Sequence, residues 1–313
     1  MSRASGFTLV LGGGGLPGLA YIAGALAALR DSGLDPADAD LVIGTSAGAL
    51  GGALLRAGCP VEELAMRSIG RGVLADDGPV LDKLWRSHAD LAVRSIGAAW
   101  VIARSTIRIP WPDPPAVLGQ LFPGGLAVPH DPSNLDGLPQ GWPDRPFWAV
   151  AVDIVSGRRV VLGRTVDDRT YPLARAIRAS TAVPGVFAPV RFRGRVLVDG
   201  GVHSMTNLDL AWGASTIVCI APMATDPAAP TGLVRQVLRA HANATLRREA
   251  RRIDSTPAKL LLLRPGVDEL HDYPINFLDR RGAAVIRDRS YEHTSEQLAS
   301  PDAIEVVRDA AGR

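Results

Sequence analysis

The sequence is poor in cysteine and in net charge. Its only two cysteines among 313 residues are Cys59 and Cys219, and both lie in apolar surroundings. We therefore expect buried, reduced thiols rather than a disulfide framework, which favours a cytoplasmic location. The formal net charge is only +2, so there is no strong overall field that could hold a nucleic acid. No nucleic-acid partner is expected.

Long apolar runs are also missing. The amino-terminal apolar run before the first glycines is too short for the hydrophobic region of a signal peptide. No stretch reaches the roughly 18 uninterrupted apolar residues of a membrane-spanning helix. With 47% hydrophobic and 21% charged residues, the composition is that of a globular protein. We expect a soluble protein whose contact with a membrane, if it has one, is peripheral.

Short apolar runs alternate along the chain with segments of helical spacing. Strands are predicted at 7–11, 41–43, 147–154, 195–198, 216–221 and 259–263, and helices at 16–30, 171–179, 207–213 and 232–252. This alternation predicts an α/β fold, namely a three-layer α/β/α sandwich with a mostly parallel central sheet. A Trp- and Pro-rich segment at about 83–145 interrupts the pattern. We interpret it as a cap or insertion in a single domain that spans residues 1–313.

The first motif that carries chemistry is the pentapeptide from Gly44 to Gly48, a G-x-S-x-G with Ser46 at its centre. It stands between a predicted strand and a predicted helix. On such a sharp turn the serine hydroxyl projects above the edge of the sheet, and the two flanking glycines remove side-chain clashes. The following helix adds the positive end of its dipole. An ordinary small-residue turn is the competing interpretation of the pentapeptide taken alone.

The second motif is a glycine run that also connects a predicted strand to a predicted helix. Backbone N–H groups at Gly13, Gly14 and Gly15 can point into one concavity, where they would stabilise an oxyanion or hold a phosphate. With Gly18 the run also fits the dinucleotide fingerprint G-x-G-x-x-G. That alternative is disfavoured because Asp38, the acid at the right distance, precedes the second strand instead of ending it.

A phosphate-binding P-loop is disfavoured as well. It would need a Lys-Ser or Lys-Thr pair after its last glycine, where this chain has Leu19 and Ala20. We find no pair of Cys or His at metal-ligand spacing. No metal and no organic cofactor are therefore expected.

The third motif is an apolar strand that ends on Asp199, followed by Gly200 and Gly201. An acid at the carboxyl end of a strand faces the same sheet edge as the other two motifs. Asp-Gly-Gly alone is more typical of a simple turn. Three glycine-bearing turns, each after a strand, nevertheless predict an oxyanion nest, a nucleophile and a carboxylate along one edge.

In the order GGGGLPG, GTSAG, ASTAVPGVF and VDGG, the sequence resembles the patatin-like phospholipase family over residues 7–210. The resemblance implies an α/β/α sandwich that hydrolyses lipid acyl esters with a Ser-Asp dyad. It assigns Ser46 as nucleophile, Asp199 as base, the glycine loop as oxyanion hole and Asn207 as a supporting residue. The family usually has Arg or Lys where this chain has Pro17, which removes any role of that cation but leaves the backbone donors.

Two other functions stay open at this stage. The histidines at 203, 241, 271 and 293 all follow Ser46, in an order that a Ser-His-Asp esterase permits. None of them lies in a recognisable motif, and His203 is the nearest to Asp199 in sequence. Alternatively, the fold could persist as an inactive lipid-binding module. The expected ligand in each case is a lipid or another acyl ester.

Overall fold

A computed structural model describes residues 6–68, 138, 141–184, 187, 189–225, 233–266, 269 and 282–312. Most of the segment that we interpret as a cap or insertion, at about 83–145, lies outside these residues, and so does His271.

An eight-stranded sheet forms the centre of the fold. Its strands are β1 Phe7–Leu11, β2 Leu41–Thr45, β3 Phe147–Asp153, β4 Arg159–Leu162, β5 Val190–Phe192, β6 Arg195–Asp199, β7 Thr216–Ile220 and β8 Lys259–Leu263. Hydrogen-bonded neighbours follow the path β5-β6-β3-β2-β1-β7-β8, and β4 also pairs with β3. The central strands β1, β2 and β7 are buried along their whole length, as the continuous apolar runs predict for strands covered on both faces.

Helices cover both faces of this sheet. They are α1 Gly15–Asp31, α2 Ala47–Arg56, α3 Val61–Ser68, α4 Val166–Arg169, α5 Leu173–Thr181, α6 Leu233–Asp254, α7 Ala283–Leu298 and α8 Pro301–Ala311. Because side chains alternate along a strand, Leu9 and Leu11 of β1 pack into the core shared with α1, α2, α5, α7 and α8. Val10 points the other way, into the core shared with Leu246 and Ile253 of α6. The predicted three-layer arrangement is present.

The sheet is parallel through β3, β2, β1, β7 and β8. At one end it turns antiparallel, because β4 and β6 pair antiparallel with β3 and β5 pairs antiparallel with β6. The apolar runs of the sequence predict β6 but neither β4 nor β5. These two strands are short, and their exposed and half-buried positions weaken the apolar signal.

Strands β2 and β6 meet end to end on one edge of β3. β4 pairs with residues 149–152 of β3, a stretch that overlaps the pairing of β3 with β2 and also its pairing with β6. Because a strand has two edges, β4 occupies one of them and β2 and β6 share the other. Thr45, the last residue of β2, pairs with Val150, and Asp199, the last residue of β6, pairs with Ala151. The two carboxyl ends therefore face each other.

The helix predicted at 207–213 is wrong. The structure has only a 3₁₀ turn at Leu208–Ala211 there, after Asn207 in the left-handed conformation at φ 52°. A polar side-chain network around Asn207, described below, holds the backbone in this tight turn. The helices predicted at 171–179 and 232–252 are present, at Leu173–Thr181 and Leu233–Asp254.

Candidate active site

Ser46 occupies a strained turn between β2 and α2. Its backbone has φ 54° and ψ −120°, a region that side chains rarely adopt and that marks functional sites. The flanking glycines are required by close packing. A Cβ at Gly44 would lie 2.5 Å from the carbonyl oxygen of Gly48, and a Cβ at Gly48 would lie 2.0 Å from that of Leu11. The structure thus holds the serine on the sharp strand-to-helix turn expected from its pentapeptide.

Ser180 stabilises this turn from α5. The backbone N–H of Ser46 donates to Ser180 Oγ at 3.1 Å, and Ser180 Oγ donates to the carbonyl oxygen of Val150 at 2.6 Å. Ser180 is fully buried. Sequence reasoning gave it no individual role, although it lies within the ASTAVPGVF run that carries part of the family resemblance.

Asp199 lies opposite Ser46, where the carboxyl ends of β6 and β2 meet. Burial raises the pKa of Asp199 to about 6, against the lowering effect of hydrogen bonds from the Ser46 side chain and from the Gly201 N–H. The Gly201 N–H donates to Asp199 Oδ1 at 2.7 Å. Gly200 is needed for close approach, because a Cβ there would lie 2.4 Å from the carbonyl oxygen of Val150. The sequence predicts Ser46 and Asp199 along one carboxyl edge of the sheet, whereas in the structure the strands that carry them meet head to head beside β3.

The glycine loop passes directly over Ser46. A Cβ at Gly13 would lie 3.2 Å from the Cβ of Ser46, so a glycine at this position leaves room for the serine. The N–H of Gly13 donates to the carbonyl oxygen of Met205 at 2.7 Å and is therefore occupied. Within the described part of the chain, no hydrogen bond engages the N–H groups of Gly14 and Gly15. Of the three predicted donors, these two are available.

The start of α1 fits tightly behind the loop. A Cβ at Gly14 would lie 2.9 Å from the Cα of Gly18, and one at Gly18 would lie 3.5 Å from the Cβ of Pro222. Pro17 is buried in the first turn of α1. Proline is tolerated there because the first N–H groups of a helix have no partner within it. The substitution of Pro for the usual cation therefore leaves the helix start intact.

Asn207 connects this site to the loop after Asp199. Its side-chain amide donates to Thr45 Oγ1 at 3.0 Å and to the carbonyl oxygen of Ser204 at 2.7 Å. Its own amide oxygen accepts from Arg159 at 3.2 Å. Asn207 is fully buried, and it holds the residue that directly precedes Ser46.

The three described histidines lie in different parts of the fold. His203 affects the pKa of Asp209 through its charge, His241 is on α6, and His293 of α7 contacts Gln297. None of the three is among the groups that set the pKa of Asp199. Within the ranges that the structure covers, no group of three or more His, Cys, Asp or Glu residues could hold a metal ion.

The family model for patatin-like phospholipases matches residues 9–212 of the chain. The chain belongs to this family. The match runs from β1 through the glycine loop, the Ser46 turn and the Asp199 turn to the end of the 3₁₀ turn. Both residues of the proposed dyad and the whole glycine loop lie within it.

Several patatin-like relatives have been named but not characterised. Uncharacterised NTE family proteins of Mycobacterium bovis and of two strains of Mycobacterium tuberculosis are each 32% identical over 196 residues. That stretch covers 62% of this chain and 42% of each relative. The chain thus matches less than half the length of these relatives. The crystal structure of VipD from Legionella pneumophila aligns over 95% of this chain and 67% of its own, with a TM-score of 0.43 and 16% identity.

The helices and the cysteines bear on two further predictions, the absence of a membrane-spanning helix and the burial of both thiols. In the described residues, every helix is too short or too polar to cross a membrane. Cys59 and Cys219, which are both described, form no disulfide; Cys219 is buried, as predicted, but Cys59 is only half-buried.

Proposed function

We propose that this patatin-like protein is a serine acyl hydrolase that cleaves carboxylic esters of lipids, with Ser46 as nucleophile and Asp199 as general base. One observation carries the proposal: a serine held in a strained turn lies beside a buried carboxyl, whose pKa is raised to about 6 by burial and lowered in part by the serine hydroxyl. A carboxylate at the ordinary pKa is a weak base at neutral pH, and burial strengthens it while leaving it mostly ionised.

Acylation follows from this pair. Ser46 Oγ bonds to the ester carbonyl carbon, the carbonyl π electrons move to oxygen, and Asp199 takes the serine proton. When the tetrahedral intermediate collapses, the bond to the alcohol oxygen breaks and Asp199 returns its proton to that oxygen. Water then attacks the acyl-serine with Asp199 again as base, which releases the carboxylic acid and restores Ser46. Each proton that Asp199 takes is given back within the same half-reaction.

The oxyanion that forms in both halves lies next to the glycine loop. The N–H groups of Gly14 and Gly15 are the available donors, and Gly13 supplies the space beside Ser46. Loss of one such donor typically costs about 3 kcal/mol of transition-state stabilisation. These donors belong to the backbone, so the absence of a cation at Pro17 does not remove them.

Two further parts of the proposal concern substrate and location. The lipid substrate is inferred from the family, the cytoplasmic location from two cysteines that form no disulfide, and the peripheral contact with a membrane from the lipid substrate. Incubation with a mixed panel of phospholipids, acylglycerols and simple esters, followed by profiling of the released fatty acids, would identify the head group and chain length.

The test of the proposal is covalent labelling. A fluorophosphonate probe should label the wild-type protein at Ser46, and Ser46→Ala should lose both labelling and turnover of a chromogenic acyl ester. Ser295→Ala, at an exposed serine of α7, is the matched control and should behave as wild type. Turnover that persists in Ser46→Ala would overturn the assignment, and binding of lipid without any turnover would favour the inactive-module alternative.

A further inference from the structure

One loop follows the Asp199 turn and makes hydrogen bonds to both the glycine loop and the strand end before Ser46. This junction loop, residues 204–208, begins three residues after the last glycine of the Asp-Gly-Gly turn. The carbonyl oxygen of Met205 accepts the N–H of Gly13 at 2.7 Å, which fixes the glycine loop. The side chain of Asn207 donates to Thr45 Oγ1 at 3.0 Å, which fixes the strand end before the nucleophile. The position of the junction loop therefore sets how acid, serine and oxyanion donors lie relative to one another.

A buried carboxyl on α6 holds this loop from behind. Glu249 Oε2 accepts hydrogen bonds from Thr206 Oγ1 and from the backbone N–H of Leu208, each at 2.9 Å. The two donors flank Asn207 in the sequence. One carboxylate oxygen thus fixes both neighbours of a residue whose backbone is in the sparsely populated left-handed region, at φ 52°.

The burial of this carboxyl is costly, and only its hydrogen bonds compensate. Burial raises the pKa of Glu249 to about 7, the negative charge of Asp209 adds to the rise, and hydrogen bonds from the junction loop oppose it. An apolar side chain could fill the same space on α6 without that cost. It could not accept the two donors, which would then be left buried and unsatisfied.

We propose that Glu249 is a positioning residue for Ser46, which acts through the junction loop and the bond from Asn207 to Thr45. The inference rests on the proposed hydrolase function and extends its site to a helix on the other face of the sheet. Glu249 does not touch the reacting atoms. Its contribution is to keep the serine turn and the glycine loop in register with Asp199.

The test measures the reactivity of Ser46 directly. In Glu249→Leu, the second-order rate of fluorophosphonate labelling and kcat should both fall by about ten- to a hundredfold, the loss typical of misplacing a nucleophile by about 1 Å. KM should change less than twofold, because Glu249 does not contact substrate. In Glu249→Gln, whose amide oxygen can still accept both hydrogen bonds, the labelling rate should recover to within about threefold of wild type.

Controls separate positioning from general destabilisation. All rates are measured well below the melting temperature of each variant, and Asp254→Asn, an exposed acid on the same helix, should match wild type. Thr206→Val removes one of the two hydrogen-bond donors to Glu249 with little change in shape. If Glu249→Leu does not fold, this variant tests whether Glu249 positions Ser46. Its labelling rate should fall at least about threefold, as expected for the loss of one buried hydrogen bond.

A double-mutant cycle tests the route through Thr45. If Glu249 acts through Asn207 and Thr45, then Thr45→Val combined with Glu249→Leu should cost little more than the larger single loss. Multiplying losses would overturn this route, and so would an unchanged labelling rate in Glu249→Leu or Thr206→Val. Absence of any labelling in the wild-type protein would instead remove the hydrolase proposal itself.

Discussion

At the scale of single residues, the surroundings of Asp199 determine the pKa of its carboxyl group. Burial raises its pKa to about 6, so it loses its proton across the range just below neutral pH. Only the ionised form can accept the proton of Ser46. We therefore expect kcat/KM to rise with pH through an acidic limb with an apparent pKa of about 6, measured on a short-chain ester between pH 4.5 and 8.

Replacement of this residue checks the assignment. Asp199→Asn nearly preserves shape but removes the proton acceptor, and kcat should fall by about two to four powers of ten, with the acidic limb abolished. His203→Ala serves as the comparison and should keep both the rate and the limb. A large loss in His203→Ala, with the limb removed, would support a Ser-His-Asp mechanism instead.

Some residues of the candidate site could be recognised from the sequence and others could not. Ser46 and Asp199 could be singled out as candidates because glycines and strand ends mark them, which is a local signal. Ser180 and Glu249 could not, since their roles depend on partners that are distant in the chain, with 134 positions between Ser46 and Ser180. Glu249 lies among four exposed arginines on α6, and this charged context is typical of a solvated helix face.

At the scale of elements, the start of α2 packs directly against the end of β1. A Cβ at Gly48 would lie 2.0 Å from the carbonyl oxygen of Leu11, and backbone atoms there cannot move without displacing the turn at Ser46. We expect Gly48→Ala to lower the melting temperature by several degrees and the labelling rate of Ser46 by at least about tenfold, as misplacement of a nucleophile does.

Gly51 in the same helix provides the matched comparison. A Cβ there would first meet Leu19 Cδ1 at 3.3 Å, the end of a flexible side chain. Since alanine is favoured over glycine in helices by about 1 kcal/mol, Gly51→Ala should leave stability equal or higher and labelling unchanged. Equal behaviour of the two variants in thermal denaturation and labelling would contradict the packing described for α2.

Elements were predictable where a continuous apolar run marks a strand buried on both faces, as in β1, β2 and β7. The antiparallel strands β4 and β5 lie at the end of the sheet and lack such runs. The turn at Leu208–Ala211 follows a left-handed residue, and a pattern of apolar spacing does not encode backbone handedness. Local sequence patterns thus predict the parallel strands at the centre of the sheet. They do not predict that β6 pairs antiparallel with β3 and meets β2 end to end.

At the scale of the whole molecule, two buried carboxyls make stability depend on pH. The pKa of Asp199 rises from its ordinary 3.8 to about 6, and that of Glu249 from 4.5 to about 7. Between these values the two carboxyls bind more protons in the folded protein than in the unfolded chain, so their contribution to the free energy of unfolding decreases as pH rises from about 4 to 7. His241, whose pKa burial lowers, acts in the opposite direction. The contribution of one carboxyl is therefore best measured as the difference in the free energy of unfolding between the wild type and a variant that lacks that carboxyl.

Asp199→Asn supplies this difference. The variant has no carboxyl to ionise at position 199, so it should be more stable than wild type at pH 8 by about 1 to 3 kcal/mol, since a shift of about two pKa units corresponds to roughly 3 kcal/mol. The gain should shrink towards zero as the pH falls below 4. Urea denaturation at pH 4, 5, 6, 7 and 8 measures it, and a gain that is independent of pH would contradict the burial of Asp199.

The end-to-end meeting of β2 and β6 also affects the protein while it is being made. Thr45 and Asn207, which meet at this junction, are separated by 162 positions, or roughly 10 to 30 seconds of translation at typical ribosomal speeds. A nascent chain therefore contains Ser46, the proposed nucleophile, long before β6 can pair with β3 and bring Asp199 next to it. The proposed hydrolase would thus leave the ribosome inactive and gain its activity only when the later strands have folded into place.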